Sequence, residues 1–167
     1  TLCDQYKQSL NPSIIQVGNG GPYSFAWSGG LPAQQINTVT ANFLNSPNLY
    51  TVTISDGCSI NTPSATAVFT VVVNAIPTLS VISTLNKACA PLTVQYTGVS
   101  DQSSVNYFWS LSNGNEISNP NGNPMIQTYE PGTYSYNVIV TNQQTGCFNT
   151  LTDQFAAEVW PNPIAEF

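Results

Sequence analysis

Four cysteines, Cys3, Cys58, Cys89 and Cys147, are the residues of this chain whose type and spacing suggest covalent chemistry. They are widely spaced without a CxxC pair, and histidine is absent, so a zinc site lacks both its spacing and its usual second ligand. Two disulfides are the simpler reading, and they place the chain in an oxidising compartment. Four cysteines allow three pairings, and the choice among them rests on the organisation described below.

The other reactive side chains point away from catalysis. Without histidine no Ser-His-Asp or Cys-His relay can be built, and no glycine-rich loop has phosphate-binding spacing. The acids Asp4, Asp56, Asp101, Glu116, Glu130, Asp153, Glu158 and Glu166 are scattered over turns and strand ends, whereas acid–base chemistry needs two that converge. The chain reads as a non-enzyme, with no catalytic, cofactor-binding or metal residue expected. Lys7 and Lys87 each lie near the first cysteine of a repeat. A lysine–asparagine crosslink is the chemistry open to them, and a solvated lysine is the simpler state.

Composition narrows the partners. Charged residues make up 6% of the chain, against about 25% in ordinary globular proteins, while 41% are hydrophobic. That much apolar residue implies a folded core with Ser, Thr, Asn and Gln supplying solubility. A net charge of −6 with two lysines and no arginine excludes phosphate-driven nucleic-acid binding and attraction to an anionic membrane. No apolar run approaches the ~20 residues of a membrane span.

What positions these residues is a strand–turn–cysteine device that occurs twice. In Tyr134 to Cys147, Tyr134, Tyr136, Val138 and Val140 alternate with Ser135, Asn137, Ile139 and Thr141, and a polar turn leads to the cysteine. Tyr50 to Cys58 is a shorter version, with Tyr50, Val52 and Ile54 on one face. Sliding the sequence by 86 positions lays Cys3 on Cys89, Phe69 on Phe155, Pro77 on Pro163, and Leu79 and Val81 on Ala165 and Phe167. Trp27 answers to Trp109 as one strand centre to another. Each repeat then offers a strand at 13–19 or 91–98, a Trp strand, a Tyr strand, and a last strand at 66–73 or 152–159. Weaker strands are expected at 36–44 and 124–129, and nothing reads as a helix of three turns.

The expected fold is all-β: two tandem Ig-like antiparallel β-sandwich domains. The first covers 1–76 and the second 77–160, with 161–167 as the start of a following module. By the same offset the opening strand of the first domain would precede residue 1, so the chain reads as a slice of a longer array. The pairing that respects the repeat is Cys3–Cys58 and Cys89–Cys147, with neither bridge crossing Pro77. Trp27, Trp109, Tyr50 and Tyr134 are expected in the cores. Trp160 has the opposite parity to Phe155, Ala157 and Val159 and is assigned to contact with the neighbouring module. Loops 28–35 and 113–124 are the places where a ligand could be met.

PLTVQYTGVS at 91–100, the aromatic-Trp strand at 107–114, and YEPGTYSYNVIVTNQQTGC at 129–147 resemble a polycystic-kidney-disease (PKD) type domain of Bacteroidetes surface proteins. GNGGPYSFAWSGG at 18–30 and YTVTISDGC at 50–58 are similar to the short repeats of large gliding-motility adhesins of that phylum. The resemblance implies an extracellular, bacterial cell-surface protein whose modules are non-catalytic spacers. Its partners would be neighbouring Ig-like modules and a surface glycan or protein ligand. The family's Trp-Asp-Phe-Gly-Asp-Gly signature is replaced here by Trp109-Ser110-Leu111-Ser112-Asn113-Gly114, so no calcium requirement is expected at that turn. The alternatives are a glycan- or protein-binding module and an accessory domain of a secreted hydrolase.

Overall fold

The computed structural model describes residues 2–15, 22–57, 64–112, 116–119 (backbone only) and 123–166. The chain divides into two compact units, Thr1–Ala75 and Ile76–Phe167. The described residues are all-β, with one short 3-10 turn at Phe43–Asn45 and no α-helix.

In the first unit β1 (Lys7–Leu10) pairs with β3 (Asn37–Thr40), and β2 (Tyr23–Trp27), β4 (Asn48–Asp56) and β5 (Ser64–Val71) form a second antiparallel sheet in the order β2-β4-β5. Period-two alternation sets the faces. Leu10, Val39, Ala41, Val71 and Val73 are buried between the sheets, with Trp27, Tyr50 and Phe69 packed against them. The strand expected at 13–19 is found instead at Lys7–Leu10, and of the expected range residues 16–19 lie outside the described residues. Pro12 is the physical reason for the early stop, because it has no N–H to give a ladder.

The second unit has β6 (Ser80–Ser83), β7 (Lys87–Cys89), β8 (Leu92–Val99), β9 (Val105–Leu111), β10 (Glu116–Asn119), β11 (Met125–Tyr129), β12 (Gly132–Asn142) and β13 (Phe148–Trp160). One sheet runs β11-β8-β6 and the other β10-β9-β12-β13-β7, with β7 parallel to β13. This is an immunoglobulin-like sandwich order, with the buried tryptophan on β9. Trp109 is fully buried and meets Tyr136 edge-on at 5.3 Å and Tyr96 at 6.2 Å. Tyr134 donates its hydroxyl to the Glu130 carbonyl at 3.0 Å and stacks on Tyr129, closing the β11–β12 corner in the manner of a tyrosine corner. The sequence offers no alternation for β7 and β10, and neither was expected.

Two corrections concern β13. Opposite Tyr134 and Tyr136 of β12 stand Ala157 and Asp153, so four steps of one strand span two of the other. This bulge breaks the alternation. Ala156, Ala157 and Val159 are buried while Phe155 is turned outward and exposed, so Phe155 does not share the inner face expected for it. Buried Tyr96 donates its hydroxyl to the Ala156 carbonyl at 3.0 Å, and the Phe155 N–H donates to Asp153 Oδ1 at 2.9 Å. The carbonyl and amide that the bulge takes out of the ladder are thereby satisfied.

The second correction is the expected Cys89–Cys147 bridge, which is not formed. Cys89 is a free, exposed thiol, whereas Cys147 is buried and disulfide-bonded. Cys89 stands opposite Trp160 at one end of β13, and Cys147 precedes Phe148 at the other. Thirteen strand residues separate those positions, roughly 40 Å at strand rise, against the ~6 Å that a disulfide needs. Cys3 is also disulfide-bonded; Cys58 lies outside the described residues.

Candidate functional site

The structure assigns the aromatic residues singled out in the sequence to distinct tasks. Trp27 packs on Phe69 with ring centres 5.6 Å apart, and its Nε1 donates to the Gln34 carbonyl at 2.8 Å. Gln34 Nε2 donates to Asn37 Oδ1 at 3.2 Å and Asn37 Nδ2 to the Pro32 carbonyl at 3.1 Å. The amides nearest loop 28–35, one of the two candidate ligand loops, are therefore engaged in holding that loop on the tryptophan. In the other candidate loop, residues 113–115 and 120–122 lie outside the described residues. Asn123, at its end, clamps Gly98, accepting from its N–H and donating to its carbonyl, each at 2.7 Å.

Three acids with described positions serve the fold. Asp4 Oδ1 accepts from the Phe43 N–H at 2.9 Å, and Asp153 holds the bulge. Asp101 accepts from the Thr78 N–H at 2.8 Å, a bond that draws its carboxyl below the usual carboxylate range. Among the described residues no three of His, Cys, Asp and Glu are grouped closely enough to hold a metal ion. Lys7 is exposed, and Lys87 pairs with Glu158 at 3.0 Å with both side chains largely in solvent. Neither lysine has the buried setting that a side-chain crosslink requires.

Among the described residues of the second unit, two surfaces combine exposed aromatic and polar groups. The first is the free end of the parallel β7–β13 pair. Here Trp160 is about half exposed (48%) beside the Cys89 thiol and the Lys87–Glu158 pair. The Ala90 N–H donates to the Trp160 carbonyl at 2.9 Å, and Asn162 Nδ2 donates to the Ala90 carbonyl at 2.8 Å. Trp160 thus sits on a well-bonded backbone with its ring open to a partner.

The second surface is the outer face of the larger sheet. Strand registry puts Phe108 opposite Ile139, Ile139 opposite Thr150, and Thr141 opposite Phe148. Ser110, Asn137 and Thr152 form the adjacent row, where Thr152 Oγ1 donates to Asn137 Oδ1 at 2.9 Å. Ile139, the one residue that interrupts the polar face of its strand in the sequence, is half-buried between Phe108 and the β13 side chains. An apolar row framed by hydroxyls and amides can take either a sugar ring or a protein side chain. Sequence reading missed this surface because Phe108 and Phe148 become neighbours of Ile139 only through strand pairing.

Burial pushes the Tyr136 hydroxyl up to about 12 and raises those of Tyr96, Tyr107 and Tyr129 as well. These phenols are structural, since all four belong to the core.

No family model matches the chain, and no curated protein matches it. Among solved structures, an amphioxus IgVJ-C2 molecule is 15% identical over 92% of this chain and 98% of its own, with a TM-score of 0.40. Murine CEACAM1b is 14% identical over 95% of this chain and 94% of its own, with a TM-score of 0.38. At that similarity the functional reading rests on the chain's own geometry.

Proposed function

We propose that the chain is a pair of tandem Ig-like modules, of PKD type, serving as non-catalytic spacers in a long secreted adhesin on a bacterial cell surface, of the kind used in gliding by Bacteroidetes. The observation that carries this reading is the repeat itself. Both units build the same five-strand core, β1-β3 with β2-β4-β5 in one and β8-β11 with β9-β12-β13 in the other. Each adds a parallel contact at the end of its last strand, Cys3 against Asn74 and Cys89 against Trp160, and these lie 86 residues apart. Units that repeat down to a backbone contact fit an array whose work is length and stiffness. The disulfide-bonded cysteines fit an extracellular setting. Among the described residues no helix is long and apolar enough to cross a membrane.

Exchange of residues 1–167 in the parent protein for two unrelated sandwich modules of equal length tests it. The spacer reading expects adhesion and movement to survive the exchange. Loss of either with surface display intact would overturn it. The second reading, a glycan- or protein-binding module, is favoured by the outer-face patch of Phe108 opposite Ile139 with Phe148 on the diagonal. Binding of the chain to a glycan or matrix-protein panel, abolished by Phe108→Ser with Phe148→Ser, would establish that reading.

A further inference from the structure

We propose that β5 of the first unit is a self-pairing edge: two copies of this chain join antiparallel along it, making one continuous sheet across a two-fold axis. The pairing rests on strand geometry and stands whichever reading of the function holds.

A strand with a neighbour on one side only leaves a row of N–H and C=O groups open to another chain. Among the described residues β5 has β4 on one side and no strand on the other along Ser64–Val71. The open side belongs to the repeat itself. At the offset of 86 residues this stretch answers to 150–157 of β13, where β7 reaches only Glu158 to Trp160 and no described strand covers the same side.

The two edges are guarded differently. Within that stretch β13 carries Asp153 and the bulge, and both discourage a further strand. On β5 neither is present: its register on β4 is unbroken, and Ala65 to Val73 contains no charge, proline or glycine. The other edges are short. Strands β1, β3, β6, β7 and β10 have four residues or fewer, and β2 and β11 have five, with Pro22 before the one and Pro124 and Pro131 about the other. Among the described residues β5 is thus the long bare edge.

Its complement is a second copy of itself. Side chains alternate, so a two-fold axis perpendicular to the sheet sets inner residues against inner and outer against outer. Centred on Val68, the axis pairs Thr66 with Thr70 and Ala67 with Phe69 of the second copy, so the contact stays within β5 and meets large with small on the inner face. On the outer face Val68 and its diagonal neighbour Leu49, each 62% exposed, join the same two residues of the second copy in one apolar strip. An uncharged edge repels nothing on its own copy and offers no charge by which to select a foreign strand. Such a contact is isologous and closes at the dimer. Its ladder bonds are few and individually modest, so it forms at high concentration.

Sedimentation of the full chain between about 10 μM and about 1 mM is expected to show monomers passing to dimers and no further. Monomer throughout, or growth beyond the dimer, overturns the pairing. Val68→Lys sets two ammonium groups face to face at the axis and should weaken the dimer by about tenfold or more. Ile126→Lys, at an exposed position of β11 in the second unit, should leave it unchanged. Full dimerisation of Val68→Lys, or equal weakening by both substitutions, overturns the edge as the contact. Amide exchange on the native chain needs no variant: alternate amides of β5 should slow by about tenfold or more between the two concentrations. No change, or equal slowness already at the lower concentration because the edge is covered within its own molecule, overturns the proposal.

Discussion

Phe69 and Phe155 hold the same place in the repeat, 86 residues apart, yet Phe69 packs on Trp27 and Phe155 stands in solvent. The difference lies in the strand pairing. In the first unit β5 keeps an unbroken register on β4, from Val71 opposite Asn48 to Ser64 opposite Ser55. In the second unit β13 bulges against β12 between Ala157 and Asp153, and everything on its far side changes phase. The bulge persists because its backbone groups are met by Tyr96 and Asp153. Tyr96 in turn belongs to a core that includes Tyr107, Trp109, Tyr129 and Tyr136, whereas among the described residues the buried core cluster of the first unit is the aliphatic set Leu10, Val39, Ala41, Val71 and Val73. One repeat therefore yields a plain sandwich and one whose core is a tyrosine network built around a bulge.

Alkali is the broadest way to separate them. The unfolded chain begins to ionise its tyrosines near pH 10, while burial keeps Tyr96, Tyr107, Tyr129 and Tyr136 protonated to higher pH in the fold. The unfolded state then binds fewer protons, so the stability of the second unit is full below about pH 10 and falls as pH rises, by up to ~1.4 kcal/mol per pH unit for each such tyrosine. Unfolding followed by amide exchange at pH 9, 10 and 11 should show β8, β9 and β12 losing protection. Constant protection through pH 11 would mean that the tyrosine network contributes nothing specific.

Gly98→Ala is next in size and acts at one point of that network. A Cβ at Gly98 would lie 2.4 Å from Tyr107 Cε1 and 2.7 Å from Cδ1, and Tyr107 is itself buried. Overpacking of this kind costs ~2–3 kcal/mol. Chemical denaturation should show that loss in the second unit, with amides of the first unit unchanged. A neutral substitution would show that the β8–β9 seam gives way and that the tyrosine core is loosely held.

Tyr96→Phe sharpens the comparison further, since it keeps the ring and removes only the hydroxyl that meets the Ala156 carbonyl. An expected loss of ~1–2 kcal/mol reflects a buried carbonyl left without its partner. Faster exchange should concentrate around Asp153–Ala157. A uniform loss over the whole unit would separate the hydroxyl from the bulge.

How much of this was legible follows the same division. Alternation named β12 from Tyr134 to Thr141, because Tyr136, Val138 and Val140 point inward as their spacing requires; Trp109 is fully buried, whereas Tyr134 is only partly buried against the same core. It failed at the bulge, since Phe155, Ala157 and Val159 are two apart in sequence whatever the backbone does between them. It also failed at β7, where Lys87-Ala88-Cys89 is too short to show a period and owes its strand form to β13 alone. The surface at Phe108, Ile139 and Phe148 joins three strands, and no single stretch of sequence contains it.

Cys89 gives the smallest effect and the cleanest distinction between sequence logic and geometry. The repeat pairs it with Cys147, yet β13 sets the two at opposite ends of a long strand. Cys89 is exposed and free, so Cys89→Ser removes no bridge and little packing, and stability should change by less than about 0.5 kcal/mol. The loss of a native disulfide would instead cost ~2–5 kcal/mol. Native-state alkylation should modify Cys89 readily and leave Cys3 and Cys147 unmodified until reductant is added, because those two are disulfide-bonded. Non-reducing peptide mapping provides the independent check: Cys89 should appear as a single alkylated thiol and Cys147 in a bridge to another cysteine. A Cys89–Cys147 peptide, together with a large stability loss in Cys89→Ser, would restore the pairing implied by the repeat. It would also require β7 to leave Trp160, and with it the parallel contact that the two units share.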